Sequence, residues 1–285
     1  MHSWQLVNYT SNNISLAAKI KNLKKFVSGY SSAIIAYSGG IDSSLVAKIS
    51  NEVLGKSKTI VAIAVSPSLN NEEYNQALSL AKKFDWNIKS IFTEEFKNDN
   101  YLKNDFNRCF YCKFELYEKL EEIFDKENFD VIFNGTNFDD LSDIRPGIDA
   151  AKKKNIVSPL VKCKINKNEI RQIAKDLGMP NWDKPAQPCL SSRVPHGVRI
   201  DMDILKKIEE SENYLSSLGF ANFRVRIHGD LAKIEANEDD FEKFYDFKIR
   251  KDIVENFKKF GFKFVSLDLM FFKSGNLSRA HESKK

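Results

Sequence analysis

The most constraining feature of this sequence is an apolar run at 32–37 that ends in two glycines and is followed by helical apolar spacing. The turn reads Ser38-Gly39-Gly40-Ile41-Asp42-Ser43. An apolar run without polar alternation is typical of a strand buried on both faces. The glycines permit a tight turn from that strand into a helix. The segment therefore predicts a strand–turn–helix unit of a parallel sheet.

The same alternation continues along the first two hundred residues. Apolar runs at 60–65, 88–92 and 131–133 alternate with helical spacings, which fall at 71–84, about 113–126 and about 167–177. Strands separated by helices indicate a parallel sheet covered on both faces. We therefore predict an α/β fold with a doubly wound parallel sheet.

After Gly197 the order of elements changes. A helix at about 201–218 precedes apolar runs at 223–227 and 231–235, which predict a hairpin. A helical stretch at about 238–259 and a strand at 263–269 complete an α-β-β-α-β order. This order is not doubly wound. We therefore predict two domains, at 1–199 and 200–285, the second a smaller α+β domain for substrate binding or oligomerisation.

Composition narrows the classes of partner. The chain has 285 residues and a net charge of +5, which suits anionic substrates but is too small to indicate nucleic acid. No stretch approaches the roughly 20 apolar residues of a membrane span, and the first residues lack the pattern of a signal peptide. We expect a cytoplasmic protein, in which four cysteines favour metal or redox chemistry over disulfides.

The turn at 38–43 has the chemistry of an anion site. Its glycines let backbone N–H groups approach a phosphate, and the following helix start adds unpaired donors. Asp42 can cap the helix or hold Mg²⁺. A simple capped turn explains Asp42 and Ser43 but gives no reason for two glycines. The spacing and lysine of a Walker A loop are absent.

These six residues resemble the pyrophosphate loop of the ATP pyrophosphatase superfamily, which includes GMP synthetase, NAD synthetase and tRNA thiolation enzymes. The resemblance implies cleavage of ATP between its α- and β-phosphates and transfer of AMP to a carboxylate or carbonyl oxygen. A nucleophile then displaces AMP. It implies that ATP and Mg²⁺ bind at the residues of the turn and of two strand ends, namely Ala36, Ser38, Gly39, Gly40, Asp42, Ser43, Ala64 and Ser66.

Further motifs resemble the LarE family, the sulfur transferases of the nickel-pincer nucleotide pathway. They are Cys109-Phe110-Tyr111-Cys112-Lys113, the segments 135–147 and 182–193, Ser158-Pro159-Leu160 and Arg224-Val225-Arg226. The resemblance covers nearly the whole chain. It implies adenylation of a carboxylate of pyridinium-3,5-biscarboxylic acid mononucleotide, replacement of oxygen by sulfur for the cofactor of lactate racemase, and a homo-oligomer.

The resemblance offers two sulfur sources. In one form of the family a single cysteine, here Cys189, gives up its sulfur. In the other, three cysteines hold a [4Fe–4S] cluster with one iron free of protein ligands, which carries sulfide. Cys109, Cys112 and Cys189 match the second form. A dithiol redox pair, a zinc site including His196 and unreactive thiols remain alternatives. Cys163 lies outside the pattern.

Other residues receive roles near these motifs. Gly135 and Thr136 end a strand, at the edge where ligands of open α/β sheets bind. Asp139, Asp140 and Asp143 could cap a helix or hold metal beside Arg145. We assign Asp42, Lys184, Cys189 and Arg193 as catalytic, with Lys184 neutralising phosphate charge and Arg193 holding an anion near the sulfur; a surface lysine is the alternative for Lys184.

Arg224 and Arg226 are two apart on a predicted strand and so share one face. Two guanidinium groups on one face suit the phosphate of a nucleotide substrate, and a pair of exposed arginines is the alternative. Two other functions stay open. One is tRNA 2-thiolation, which the weak and scattered charge disfavours. The other is a non-catalytic nucleotide or iron–sulfur binding module.

Overall fold

The computed structural model describes residues 15–142 and 146–272. Asp143 and Arg145, which were assigned to the cofactor site, lie outside the described residues. The described chain contains a four-stranded and a three-stranded sheet. None of its helices has both the length and the apolar character needed to cross a bilayer.

The first sheet consists of β1 (Ala33–Tyr37), β2 (Thr59–Val65), β3 (Ile88–Phe92) and β4 (Val131–Phe133). The helices among and after these strands are α1 (Leu16–Val27), α2 (Ile41–Leu54), α3 (Asn71–Lys83), α4 (Asp99–Leu102), α5 (Arg108–Glu127), α6 (Pro146–Lys153), α7 (Pro159–Lys162) and α8 (Lys167–Asp176). The remaining elements are α9 (Met202–Ser217), β5 (Phe223–His228), β6 (Leu231–Ala236), α10 (Glu238–Phe241), α11 (Phe247–Lys259) and β7 (Phe264–Leu267).

The first sheet is parallel, with strand order β3-β2-β1-β4. Alternate residues of β1 face opposite sides: Ile35 packs in a core with α2 and α8, and Ile34 in a core with α5 and α6. Both faces are therefore covered by helices, which explains why the strands are continuously apolar. The predicted α/β fold class is confirmed.

The second sheet has the order β5-β6-β7, with β5 and β6 forming the predicted antiparallel hairpin and β7 parallel to β6. The helical stretch predicted at about 238–259 is present but divided into separate elements. Asp246 interrupts it with extended backbone, and its carboxylate accepts the N–H groups of Lys248 and Ile249 to begin α11. A capping side chain thus starts a new helix where apolar spacing alone suggested continuation.

The core of the second sheet also contains residues from earlier in the chain. Tyr101, Leu190 and Val194 pack with Val225 and Ile234. The domain boundary near residue 200 stays a prediction, and the segments that carry the cysteine motifs contact the second sheet. Cys112 itself packs against the core of the second sheet.

Candidate functional site

The turn at 38–43 is held by its own hydrogen bonds. The Ser43 hydroxyl accepts the N–H of Ser38 at 3.1 Å, and the Ser44 hydroxyl donates to the carbonyl of Gly40 at 2.9 Å. Gly39 has φ 75°, and a Cβ there would lie 3.0 Å from the Cβ of Ala77. The turn therefore needs glycine both for its backbone angle and for the space beside α3.

The end of β4 lies against this turn. A Cβ added to Gly135 would lie 2.6 Å from the backbone nitrogen of Ser43, so only glycine permits this approach. Next to it, the Asn134 side chain accepts the N–H of Thr136 at 3.2 Å. Since the sheet is parallel, Ala36 near the end of β1 and Ala64 near the end of β2 occupy the same carboxyl edge. Ser66 follows β2 at that edge, so the turn and the ends of the two strands that were assigned to ATP lie along one edge of the first sheet.

Asp42 forms an ion pair that the sequence analysis missed. Both of its carboxylate oxygens lie 2.7 Å from Nζ of Lys167, at the start of α8. Burial raises the pKa of Asp42 above its ordinary value, while Lys167 partly opposes that shift. Asp139 fixes the start of α8 by accepting the N–H of Lys167 at 2.9 Å. Asp140 accepts the N–H of Asn137 at 3.0 Å, so both carboxylates order this loop.

Lys184 also has a carboxylate partner that was not predicted. Its Nζ lies 2.5 Å from Oε2 of Glu73 and 2.7 Å from Oε1 of Gln76. Both ion pairs border a cavity of about 250 Å³ at the turn. The cavity is lined by the turn, the two ion pairs and one proline-rich segment: Ser38, Gly40, Ile41, Asp42, Glu73, Lys167, Lys184, Pro185, Ala186, Gln187 and Pro188.

The cysteines lie beyond this cavity. Cys109 and Cys112 are inside the first turns of α5, which begins at Arg108 and not near 113 as expected. Cys189 directly follows the cavity wall; it and Cys109 are exposed, whereas Cys112 is half-buried. Burial raises the pKa of Cys112 to about 12.

Arg108 connects the two cysteine-bearing segments. Its buried guanidinium donates at 2.7 Å both to Asn104 Oδ1 and to the carbonyl of Ser191, and Nη2 lies 3.7 Å from Sγ of Cys109. Burial opposes its charge, but Cys189 and Cys109 outweigh this effect and raise the pKa of Arg108. No group of three or more His, Cys, Asp or Glu side chains within residues 15–142 and 146–272 is arranged to hold a metal ion.

Three arginines support the segment that leads to Cys189. Arg193 donates to both oxygens of Glu212 at 2.9 Å and to the carbonyl of Cys189 at 3.1 Å. Its bonds therefore hold the loop, and the catalytic role assigned to Arg193, holding an anion near the sulfur, stays a prediction. Arg226 donates to Glu235 Oε1 at 2.7 Å and to the carbonyl of Ser192 at 2.9 Å.

Arg224 is the member of this trio without an ion pair to any described carboxylate. It is 5 % exposed, and its Nη2 donates to the carbonyl of Ala186 at 2.8 Å. Burial lowers the pKa of Arg224 to about 10. Arg224 and Arg226 are two apart on a strand, as predicted, and both are buried, so the alternative of a pair of exposed arginines is wrong; their role in binding a phosphate stays a prediction.

Comparisons with known proteins agree with this arrangement. A family model described as NAD synthase matches residues 15–106, which include the turn at 38–43. An uncharacterised protein of Synechocystis is 42% identical over 264 residues, which are 93% of this chain and 98% of that protein. A pyridinium-3,5-bisthiocarboxylic acid mononucleotide synthase of Lactiplantibacillus plantarum is 33% identical over 266 residues, covering 93% and 92%. An uncharacterised protein of Methanocaldococcus jannaschii is 38% identical over 256 residues, covering 90% and 96%.

Proposed function

This chain belongs to the LarE family of ATP-dependent sulfurtransferases, and we propose that it adenylates a carboxylate of pyridinium-3,5-biscarboxylic acid mononucleotide and replaces oxygen with sulfur. A carboxylate oxygen of the substrate attacks the α-phosphorus of ATP, and pyrophosphate leaves. A sulfur nucleophile then attacks the acyl carbon, and AMP leaves with the oxygen. The net change is one carboxylate oxygen exchanged for sulfur.

One observation carries this proposal. The proline-rich wall of the cavity, at 185–188, ends directly at Cys189. The cysteine therefore follows directly on the wall of the cavity that contains the proposed phosphate-binding turn, and adenylation followed by sulfur attack requires these two groups to be near one another.

The residues around the cavity suit the first half of the reaction. The N–H groups of the turn and the start of α2 can bind the β- and γ-phosphates. Asp42, in the first turn of α2, is suited to hold Mg²⁺ against those phosphates. Lys167 and Lys184 border the same cavity and can neutralise the leaving pyrophosphate once their carboxylate partners are displaced.

The cysteines fit a [4Fe–4S] cluster by the chemistry of their donors. Cys109 and Cys112 lie one turn apart at the start of α5, and Arg108, next to Cys109, donates to the carbonyl of Ser191 in the loop that carries Cys189. A cubane is larger than a single ion, and its cysteines stand further apart than ligands of one metal. A cluster bound there would supply sulfide from the iron that has no protein ligand. Arg108 would hold Cys109 and the Cys189 loop at a fixed separation.

The substrate phosphate is proposed to bind at Arg224, with Arg226 beside it. A buried guanidinium without a carboxylate partner among the described residues has hydrogen-bonding capacity and charge to offer an anion. We further expect a cytoplasmic homo-oligomer that receives sulfide from a separate donor. Sacrifice of the Cys189 sulfur is the alternative source, because Cys189 is exposed beside the cavity.

The test is anaerobic reconstitution followed by incubation with ATP, Mg²⁺, sulfide and the biscarboxylated mononucleotide. We expect a cluster chromophore, AMP and pyrophosphate in equal amounts, and a product in which sulfur replaces oxygen. The chromophore should be lost in Cys109→Ala, Cys112→Ala and Cys189→Ala but retained in Cys163→Ala, the matched control.

Three outcomes would contradict parts of the proposal. Conversion of Cys189 to dehydroalanine would replace the cluster with the sacrificial source. Thiolation of tRNA but not of the mononucleotide would change the substrate. Nucleotide binding with no release of pyrophosphate would indicate a non-catalytic module.

A further inference from the structure

The cavity at the turn 38–43, here called the phosphate cavity, is bordered by two lysines. Each of these lysines forms an ion pair with a carboxylate. Lys167 pairs with Asp42, and Lys184 pairs with Glu73. Asp42 is explained as the proposed Mg²⁺ ligand. Glu73 has no such role, yet its carboxylate borders the cavity that contains the phosphate-binding turn. A carboxylate so close to bound phosphates would repel them unless a cation stayed between them.

The local structure shows why Glu73 points at Lys184. Glu73 lies in the first turn of α3, whose start is capped by the Asn70 side chain. Its side chain is 23% exposed and that of Lys184 is 19% exposed, so solvent screens the ion pair only in part. A half-buried pair of this kind has to be broken before Lys184 can turn to a phosphate.

The backbone that carries Lys184 is held independently of that pair. Arg171 donates to the carbonyls of Trp182 and Lys184 at 3.4 and 3.3 Å, and Arg224 donates to the carbonyl of Ala186 at 2.8 Å. Only the flexible lysine side chain therefore needs to move in order to exchange partners. In this arrangement Gln76 Oε1 is a second acceptor for Nζ of Lys184, at 2.7 Å.

We propose that Glu73 is a positioning residue that competes with pyrophosphate for Lys184 and thereby promotes release of that product. The inference rests on the proposed use of ATP. When triphosphate enters with Mg²⁺, Lys184 leaves Glu73 for the phosphates. When pyrophosphate has been formed, Glu73 recaptures Lys184 and weakens the hold of the cavity on the product.

The test is calorimetric titration of the full chain with inorganic pyrophosphate and Mg²⁺. Glu73→Gln frees Lys184 while keeping the side chain's shape, and we expect it to bind pyrophosphate about tenfold more tightly, ~1.4 kcal/mol. Lys184→Met should bind about tenfold more weakly. The double variant should match Lys184→Met, because Glu73 acts through that lysine.

The matched control is Glu52→Gln, which removes the same charge from another lysine–glutamate pair, Lys24–Glu52 at 2.5 Å. It should leave pyrophosphate affinity unchanged. In steady-state turnover, Glu73→Gln should lower kcat and KM for ATP together, whereas a purely structural role would weaken binding and lower the melting temperature.

The results separate this inference from the proposed function. If the wild type binds pyrophosphate and Glu73→Gln binds it equally or more weakly, competition by Glu73 is refuted while ATP use stands. If Glu73→Gln tightens binding equally without Lys184, simple repulsion replaces competition. If the wild type binds neither Mg²⁺–ATP nor pyrophosphate, both proposals fall.

Discussion

The phosphate cavity and the Cys189 segment are both lined by cations, but those cations have different partners. In the cavity, Lys167 and Lys184 form ion pairs with carboxylates, and the two lysine side chains are 30% and 19% exposed. Around the Cys189 segment, Arg193, Arg224 and Arg226 are buried and donate to main-chain carbonyls.

The difference separates two tasks. A lysine paired with one partly exposed carboxylate can exchange it for a phosphate at moderate cost. A buried guanidinium that holds both a carboxylate and a carbonyl cannot leave without stranding both. The cavity is therefore built for exchange of ligands, and the Cys189 segment for a fixed position. Four variants test this contrast.

The largest expected effect is on turnover at the cavity. Asp42→Asn removes the proposed Mg²⁺ ligand, and we expect pyrophosphate release from ATP to fall about 10³-fold, because stabilisation of the charge on the leaving pyrophosphate is lost. Unfolding stability should change little by comparison. Asp149→Asn, at an exposed position on α6, is the control and should retain full activity. If the Asp42→Asn variant retains turnover, Asp42 takes no part in the reaction.

The next largest effect is on stability at the Cys189 segment. Arg193→Met leaves Glu212 buried and unpaired, since the two side chains are 3% and 9% exposed. We expect a loss of about 3–5 kcal/mol in the free energy of unfolding, measured by denaturant titration. Alkylation of Cys189 should also accelerate in the folded protein. Lys167→Met should lower the free energy of unfolding far less than Arg193→Met does. Equal losses in the two variants would contradict the difference between the cavity and the Cys189 segment.

A smaller effect is expected where the turn meets β4. Gly135→Ala places a methyl group against the backbone of Ser43 and should cost about 1–3 kcal/mol of stability. Affinity for pyrophosphate should fall as well, because the start of α2 has to move. Gly147→Ala is the control, since its added methyl would meet Cγ of Lys113 at 3.3 Å and the carbonyl oxygen of Cys109 at 3.8 Å, both further away than the Ser43 backbone is from Gly135. An unchanged melting temperature in Gly135→Ala would show that the approach of β4 is not tight.

The smallest effect concerns pH and the second sheet. Burial raises the pKa of Asp240, but Lys243 and the N–H groups of Ala221 and Asn222 together lower it below its ordinary value. A lowered folded-state pKa stabilises the protein above the unfolded-state pKa, and this stability is lost as pH falls through the folded-state value, below about pH 4. Asp240→Asn should flatten that acid-side loss by about 1 kcal/mol, measured by denaturant titration across pH. An unchanged slope would assign the acid sensitivity elsewhere.

The sequence was informative where the structure depends on neighbours in the chain. The turn at 38–43 is held by hydrogen bonds among Ser38, Gly40, Ser43 and Ser44, all within six residues of one another. Its structure could therefore be predicted from the local sequence. The parallel sheet followed from apolar runs for the same reason.

The missed residues depend on contacts across the fold. Lys167 meets Asp42 only because α8 packs beside α2, and Glu73 meets Lys184 only because the 182–188 segment crosses the start of α3. In the sequence around Lys167, Lys184 and Glu73, nothing distinguishes these residues from ordinary surface residues. The ion pair of Arg193 could not be predicted either, because its buried partner, Glu212, comes from α9, whose apolar spacing gave no sign of a carboxylate facing inward.

The packing of Tyr101 against the second sheet has a consequence for the order of synthesis. Tyr101, which bonds Ser191 through its hydroxyl at 2.7 Å, leaves the ribosome long before β5 and β6 exist to cover it. Domains fold as they emerge, N-terminal parts first, so the first sheet can assemble while α4 and the start of α5 still lack their final neighbours. The segments that carry Cys109, Cys112 and Cys189 then reach their final packing only after the last strands are made, so the carboxyl edge of the first sheet forms before the surroundings of these cysteines do.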